Sequence, residues 1–173
     1  ITGKAGVGAI AGFLMVAGEY TIGNCAVKGC TVAQNGSFGD SYDTMFGLVA
    51  GAINDSGVVL NLNNNTAENN TIKGAASQTL VGYVEEGAKY YINGKLAVAT
   101  VAELEAALKA GGEFILANDI ALTKTLPVSN ANFTLDGNGC TISQATECNN
   151  TYALFDITGG KATIKNVVFD GVK

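Results

Sequence analysis

The sequence predicts an all-β protein of the solenoid type, in which short strands form coils that stack along one axis. Residues 21–30 and 163–172 share a layout: both read Thr-Ile-x-Asn, then apolar residues, then x-Gly and a further apolar residue. A strand, a turn that favours Asn, a second strand and a turn that favours Gly would produce this layout, because Asn and Gly tolerate a left-handed backbone. Such a unit cannot bury its own apolar face, so copies must stack.

The composition supports a folded, turn-rich β protein and narrows its chemistry. The chain has 173 residues, is 47% apolar, and contains 23 Gly but only one Pro. A helical bundle would not use glycine this heavily. His, Trp and Arg are absent. The chain therefore has no imidazole for acid–base work or metal binding, and no guanidinium for bidentate recognition of carboxylate or phosphate.

The charge pattern argues against nucleic acid and anionic membranes as partners, because the net charge is −5 and no basic run occurs. The longest uncharged stretch, residues 5–18, is too short for the roughly 20 residues of a membrane helix and is interrupted by glycines. We therefore expect no membrane-spanning segment. The sequence begins at Ile1, and we expect either that processing removed a leader or that the chain is part of a longer one.

A longer repeat occupies the first half of the chain. Residues 8–12 match residues 47–51 at a shift of 47 − 8 = 39, and residues 22–24 match residues 62–64 at 62 − 22 = 40. One inserted residue reconciles the two shifts. Residues 81–84 begin a third copy that is not completed.

The glycine-bounded apolar segment at 8–12, followed by Ile-x-Asn-Cys-Ala-Val-x-Gly at 22–29, resembles the GLUG repeats of bacterial surface proteins. The resemblance covers residues 8–72. In the second copy Asn65-Thr66-Ala67 replaces the Cys-Ala-Val strand. The resemblance implies a bacterial cell-surface location, and it assigns residues 1–96 to a domain of GLUG-like repeats.

One amphipathic helix is predicted at residues 101–110. Thr100 and Glu103 have the spacing of a capping box, in which each side chain accepts from the backbone N–H of the other. Apolar residues then share one face until Gly111 and Gly112 end the run. Those apolar residues are Val101, Leu104, Ala107 and Leu108.

Short strands fill the remainder of the chain. We predict them at 113–117, 120–122, 126–128, 133–135, 140–142, 153–157, 162–164 and 167–169. They are brief, are separated by Asn, Asp, Gly or Ser, and lack hairpin spacing. This pattern suits the rungs of a parallel β-helix better than a sandwich.

The second half of the chain resembles the start of a pectate-lyase-like right-handed parallel β-helix. The resemblance rests on the order of its elements: the helix, Gly-Gly, a strand, Leu-Pro-Val at 126–128 and Phe-Thr-Leu-Asp-Gly-Asn-Gly-Cys-Thr-Ile at 133–142. The resemblance spans residues 99–173. It implies that the helix caps the first coil, and it assigns residues 97–173 to a second domain. The superfamily includes lyases, hydrolases, phage tailspikes and adhesins, so the resemblance implies a fold and not a function.

The residues that could support catalysis are better explained by turns. Lyases of that superfamily hold calcium with a carboxylate cluster and use a strongly basic residue, yet Asp136, Asp156 and Asp170 each lie beside a turn and Arg is absent. The paired carboxylates at 85–86 and at 103 and 105 lie in a turn and on the helix. We predict no catalytic residue, no metal site, no cofactor and no enzyme activity.

Three asparagines stand out in the repeats, namely Asn24, Asn64 and Asn166. Side-chain amides at equivalent turns bond one another when coils stack, so the sequence predicts a structural Asn ladder at these positions. Binding of sugars by these amides is the weaker alternative.

The four cysteines are Cys25, Cys30, Cys140 and Cys148, and they form no CxxC pair. The first interpretation is that they are small buried apolar residues. The alternative is a disulfide between Cys140 and Cys148 around a polar loop, which would fit an extracytoplasmic protein.

Four aromatic residues form a candidate ligand platform: Phe38, Tyr42, Tyr90 and Tyr91. Exposed rings of this kind contact carbohydrate or protein. The alternative is packing against the flank of the solenoid.

These observations together favour a non-catalytic, extracellular segment of a bacterial surface protein, serving as an adhesin-like stalk or binding module for a surface glycan or protein. A self-assembling structural subunit that uses an open solenoid end is the second hypothesis. The third is a fragment of a polysaccharide lyase or hydrolase whose active coils lie outside this chain.

Overall fold

The structure, a computed structural model, describes residues 1–36, 39–129, 131–145 and 153–171. It is predominantly β and contains one α-helix among these residues, which confirms the all-β class. The chain divides into two compact units, Ile1–Gly94 and Lys95–Lys173. Among the described residues, no helix has the length and apolarity that crossing a membrane requires.

The described residues of unit 1 form twelve short strands and a turn of 3-10 helix at Asp40–Tyr42. The strands are β1 (Thr2–Gly3), β2 (Ala11–Leu14), β3 (Gly18–Gly23), β4 (Ala26–Lys28), β5 (Thr31–Gln34), β6 (Ala50–Ile53), β7 (Val58–Asn63), β8 (Thr66–Glu68), β9 (Thr71–Ile72), β10 (Ala75–Ala76), β11 (Val81–Val84) and β12 (Lys89–Ile92).

The predicted repeat is confirmed by the strand register of unit 1. Strands β2, β3, β4 and β5 pair in parallel with β6, β7, β8 and β9. Ala11 lies opposite Ala50, a shift of 50 − 11 = 39, and Tyr20 lies opposite Leu60, a shift of 60 − 20 = 40. The third copy is longer than expected, because β11 pairs with β6 and β12 pairs with β7.

The glycines that bound the repeated apolar segment let neighbouring backbones approach closely. A Cβ atom added at Gly51 would lie 2.3 Å from the backbone of Gly6 and Val7. Strand β7 then alternates, with Val58, Leu60 and Leu62 buried and the residues between them only half-buried. This period of two is that of a strand with one face in the core.

In unit 2 the part of the chain that the structure describes forms the α-helix and nine strands. The elements are β13 (Lys95–Val98), α1 (Val101–Ala110), β14 (Gly112–Leu116), β15 (Ile120–Leu122), β16 (Leu126–Val128), β17 (Ala131–Asp136), β18 (Thr141–Gln144), β19 (Phe155–Ile157), β20 (Gly160–Lys165) and β21 (Val168–Asp170).

The predicted helix and its capping box are confirmed. The backbone N–H of Glu103 donates to Thr100 Oγ1 at 3.2 Å, and the N–H of Thr100 donates to Glu103 Oε2 at 3.0 Å. The helix ends where Gly111 and Gly112 adopt positive φ, at 74° and 86°. Its buried side chains, Leu104, Ala107 and Leu108, belong to the core of unit 2.

The strands of unit 2 form three parallel ladders. Strands β13, β14, β17 and β20 are successive neighbours in the first, β15, β18 and β21 in the second, and β16 and β19 in the third. Register partners form apolar columns, such as Phe114, Leu135 and Ile164. Phe114 and Leu135 are buried, while Ile164, on the outermost strand of the ladder, is only half-buried.

We predict that Thr100→Ala lowers the free energy of unfolding by about 1 kcal/mol, because the N–H of Glu103 loses its acceptor at the start of α1. Thr100→Ser is the matched control, since it keeps the hydroxyl. Urea unfolding followed by circular dichroism measures both. Equal losses in the two variants would show that the hydroxyl does not stabilise this helix end.

Candidate functional site

The predicted asparagine turns are present with the expected backbone. Asn24, Asn64 and Asn166 have φ of 57°, 53° and 55°. Asn and Gly adopt this left-handed conformation at the lowest cost. In unit 1 the Asn64 amide donates to Asn24 Oδ1 at 3.4 Å, across a shift of 40 residues. These two residues therefore form the first step of the predicted ladder.

Asn93 extends the polar column of unit 1. It also has a positive φ, of 52°, and its Oδ1 accepts from the backbone N–H of Asn64 at 2.7 Å. The three copies of the repeat in unit 1 are thus joined at the end of the β3, β7 and β12 ladder by asparagine side chains.

The Asn166 amide bonds a carboxylate and no asparagine among the described residues, so the ladder prediction is wrong at this position. Its amide donates to Asp136 Oδ1 at 3.0 Å. Lys165 lies opposite Asp136 in the β17 and β20 register, so the next residue, Asn166, comes opposite Gly137. Glycine has no side chain to bond, and the neighbouring carboxylate takes its place.

Two asparagines that the sequence analysis missed bind the backbone of the preceding repeat. Asn65 Oδ1 accepts from the N–H of Cys25 at 3.0 Å, and Asn65 Nδ2 donates to the carbonyl of Ile22 at 2.7 Å. Asn70 does the same, accepting from the N–H of Cys30 at 2.8 Å and donating to the carbonyl of Val27 at 2.8 Å. Each amide therefore satisfies one donor and one acceptor at a corner.

The signal for these residues was present in the sequence. Asn65 and Asn70 each follow directly after a left-handed turn residue, Asn64 or Asn69, with a spacing of five. Their Oδ1 atoms accept from the backbone N–H groups of Cys25 and Cys30, which lie 40 residues earlier, in the first copy of the repeat.

Asp136 is the centre of a charged network in unit 2. The ammonium of Lys95 lies 2.9 Å from Asp136 Oδ2, and that of Lys165 lies 3.7 Å from the same oxygen. Asp136 Oδ1 accepts from Asn166 and, at 3.2 Å, from the backbone N–H of Asn138. The bond to Asn138 confirms the prediction that Asp136 serves a turn.

This network fixes the charge of Asp136. Burial acts to raise its pKa, but the hydrogen bonds from Asn166, Lys95 and the N–H of Asn138 outweigh burial and lower the pKa to about 2. The carboxylate is therefore ionised at neutral pH with both oxygens engaged. Within the described ranges, no three His, Cys, Asp or Glu residues are grouped so that they could hold a metal ion.

The aromatic platform is not assembled as expected. Tyr90 is 1% exposed, so its inclusion was wrong: it lies opposite Leu60 and faces the core, as the alternation of β12 requires. Tyr91 is half-buried and Tyr42 is 40% exposed. Phe38 lies outside the described residues.

The cysteine at 140 has the apolar role of the first interpretation. Cys140 has a free thiol among the described residues and packs against the core of unit 2. Its thiol lies 3.8 Å from the carbonyl of Leu116, and burial, followed by the charge of Asp119, raises its pKa to about 11. Cys148 itself lies outside the described residues.

A shallow polar groove of about 240 Å³ runs across three parallel strands of unit 2, β14, β17 and β20. Glu113, Thr134 and Thr163 are successive register partners across it, and Asn132 lies opposite Lys161. The groove therefore presents a carboxylate, two hydroxyls, an amide and an ammonium on one open surface.

Comparison of the chain with protein-family models, with curated proteins and with solved structures gave no match.

We predict that Asn70→Ala lowers the free energy of unfolding by about 2 kcal/mol, because the part-buried N–H of Cys30 and the buried carbonyl of Val27 lose their partner. Asn61→Ala is the matched control, since its amide donates to the side chain of Glu19 at the surface, and about 0.5 kcal/mol or less is expected. Equal losses in denaturant unfolding would contradict a clamping role for Asn70.

We predict that Asp136→Asn lowers the free energy of unfolding by about 2 kcal/mol at pH 7 and that this difference becomes smaller in acid. A carboxylate whose pKa is lowered on folding stabilises the protein fully above its unfolded pKa, about 4. That stabilisation is lost as the pH falls through the folded pKa, about 2. Urea unfolding of both proteins from neutral pH to pH about 2 measures the difference, and a difference that does not change with pH would contradict the network.

Proposed function

We propose that this chain is a non-catalytic segment of an extracellular bacterial surface protein, built as a right-handed parallel β-helix and working as an adhesin-like stalk or binding module. The observation that carries the proposal is the regular parallel pairing of repeats, at shifts of 39 and 40 residues in unit 1. Parallel ladders of short strands, each covering the apolar side chains of the next, are the arrangement that a solenoid requires.

The polar centre of unit 2 supports a structural role over a catalytic one. A general base or a metal ligand works through a carboxylate that is available to a proton or a metal ion. Both oxygens of Asp136 instead accept from Lys95, Asn166 and the backbone of Asn138. With its pKa lowered to about 2, this carboxylate is a poor proton acceptor at neutral pH.

The groove on β14, β17 and β20 is the surface that we propose for ligand binding. Its side chains stand on strands spaced by about 4.8 Å and include a carboxylate that accepts, an ammonium that donates, and hydroxyls and an amide that do both. Glycans carry many hydroxyls, and a hydroxyl both donates and accepts hydrogen bonds. We therefore propose a surface glycan as the partner of the groove, and Thr134 and Glu113 as two of its contacts.

We predict that the chain binds a subset of glycans on an array and that the double substitution Glu113→Gln with Thr134→Ala weakens this binding about tenfold, through the loss of two polar contacts. Thr123→Ala is the matched control, because Thr123 is exposed and lies outside the groove.

Three results would overturn the proposal. Sustained turnover of polyuronates, with or without calcium, would show that the chain is an enzyme. Equal glycan binding by the double variant and by Thr123→Ala would show that the groove is not the binding surface, and an array without any bound glycan would exclude the glycan partner.

A further inference from the structure

Large exposed apolar side chains are concentrated at two places in the described chain. The nine that are exposed are Ile1, Ile10, Phe13, Met15, Val16, Tyr42, Ile157, Val168 and Phe169. All except Tyr42 lie within residues 1–16 or 157–169. These stretches lie in or beside two sets of strands, which we call the first row (β2, β3 and β4) and the last row (β19, β20 and β21).

Both rows have unpaired edges. Each strand of the first row and each strand of the last row has a single neighbour among the described strands, on one side. The consequence is clearest at Phe169, which is 48% exposed although its register partner Ile142 is fully buried. An edge strand with apolar side chains can pair with a further strand from another chain.

The two rows have the same backbone layout. Thr21 and Ile22 correspond to Thr163 and Ile164 at a shift of 163 − 21 = 142. At the same shift the left-handed turns coincide: Asn24 and Asn166 have φ of 57° and 55°, and Gly29 and Gly171 have 59° and 64°. A first row placed on a last row in this register would therefore turn its corners at the same positions.

The charges of the two rows are complementary in that register. Glu19 falls opposite Lys161, and Lys28 falls opposite Asp170, because 161 − 19 and 170 − 28 are both 142. Neighbouring rows within each unit already pair opposite charges in this way, as Lys28 does with Glu68 at 3.1 Å. Opposite charges across parallel strands favour this register over its neighbours.

The asparagine amides also have matching polarity. Within each unit the later residue donates to the earlier one: Asn64 donates to Asn24, and Asn166 donates to Asp136. These bonds use the oxygen of Asn24 and the nitrogen of Asn166. An Asn24 placed after Asn166 would present its Nδ2 to the Oδ1 of Asn166, which continues the chain of amides in the same direction.

We propose that the last row of one copy of this chain binds the first row of a second copy, with β20 and β3 as parallel neighbours in the register that places Ile164 opposite Ile22. The interface is heterologous, since it joins two different surfaces, and each bound copy keeps one free row. Assembly therefore continues beyond the dimer. The interface shares β20 with the proposed glycan groove, since Lys161 and Thr163 line that groove, but assembly uses the edge of β20 and does not require a bound glycan.

The first test is the mass of the chain in solution over a wide range of concentrations, by sedimentation velocity and light scattering. We expect a weight-average mass that rises beyond that of a dimer. Phe169→Lys places a charge in the apolar contact and should raise the dissociation constant at least about tenfold. Tyr42→Lys is the matched control, since Tyr42 is 40% exposed outside both rows, and it should assemble as the unaltered chain does.

The second test uses charge reversal and rescue. Glu19→Lys should weaken assembly about fivefold by facing Lys161, and adding Lys161→Glu should restore it. Glu86→Lys makes the same charge change in an exposed turn outside both rows and should have no effect. A monomer at every concentration overturns the proposal, and so does assembly that Phe169→Lys leaves unchanged or a double variant without rescue.

Discussion

Parallel pairing of a strand with its equivalent in the next repeat is the interaction on which the rest of this structure depends. It places like residues above one another, so that Leu60 lies beside Tyr20 and Tyr90, and Leu135 lies beside Phe114 and Ile164. Since successive side chains of a strand alternate between faces, one register decides which side chains are buried. A slip of one residue would expose every apolar column.

The corners carry the second constraint. A short strand gains little from a ladder unless the chain turns at a fixed place, and the left-handed residues Asn24, Gly29, Asn64 and Asn69 set that place in two successive repeats. Turning exposes backbone N–H and carbonyl groups that lie outside the ladders. The amides of Asn65 and Asn70 bond these groups in the neighbouring repeat, so the corners contribute to holding the repeats together.

Local features were predicted well from the sequence, because their causes are local. The helix was predicted from a capping box and an apolar face, and the turns were predicted from Asn and Gly. The register of unit 1 was predicted from a repeat that occurs twice in the sequence. Partners from other strands were not predictable. Asn166 bonds Asp136 because of the register between β17 and β20. Tyr90 is buried because side chains of β12 alternate between faces, with Lys89 exposed and Tyr90 on the core face.

The same limit applies to the candidate site. The sequence singled out Tyr90, which is buried. The polar groove instead forms from Glu113, Thr134 and Thr163, which are 21 and 29 residues apart along the chain (134 − 113 and 163 − 134). Only the register brings these side chains together. The ion network around Asp136 has the same origin, because Lys95 and Lys165 come from different strands on either side of it in the sequence.

The most direct measurement of the central claim is a set of cross-strand NOEs between backbone protons of the isotope-labelled chain. The account predicts NOEs that join β3 to β7 in parallel at a shift of 40 residues, with Ile22 beside Leu62, and that join β18 to β21 with Ile142 beside Phe169. Antiparallel NOEs between β6 and β7 in place of these parallel ones would contradict it.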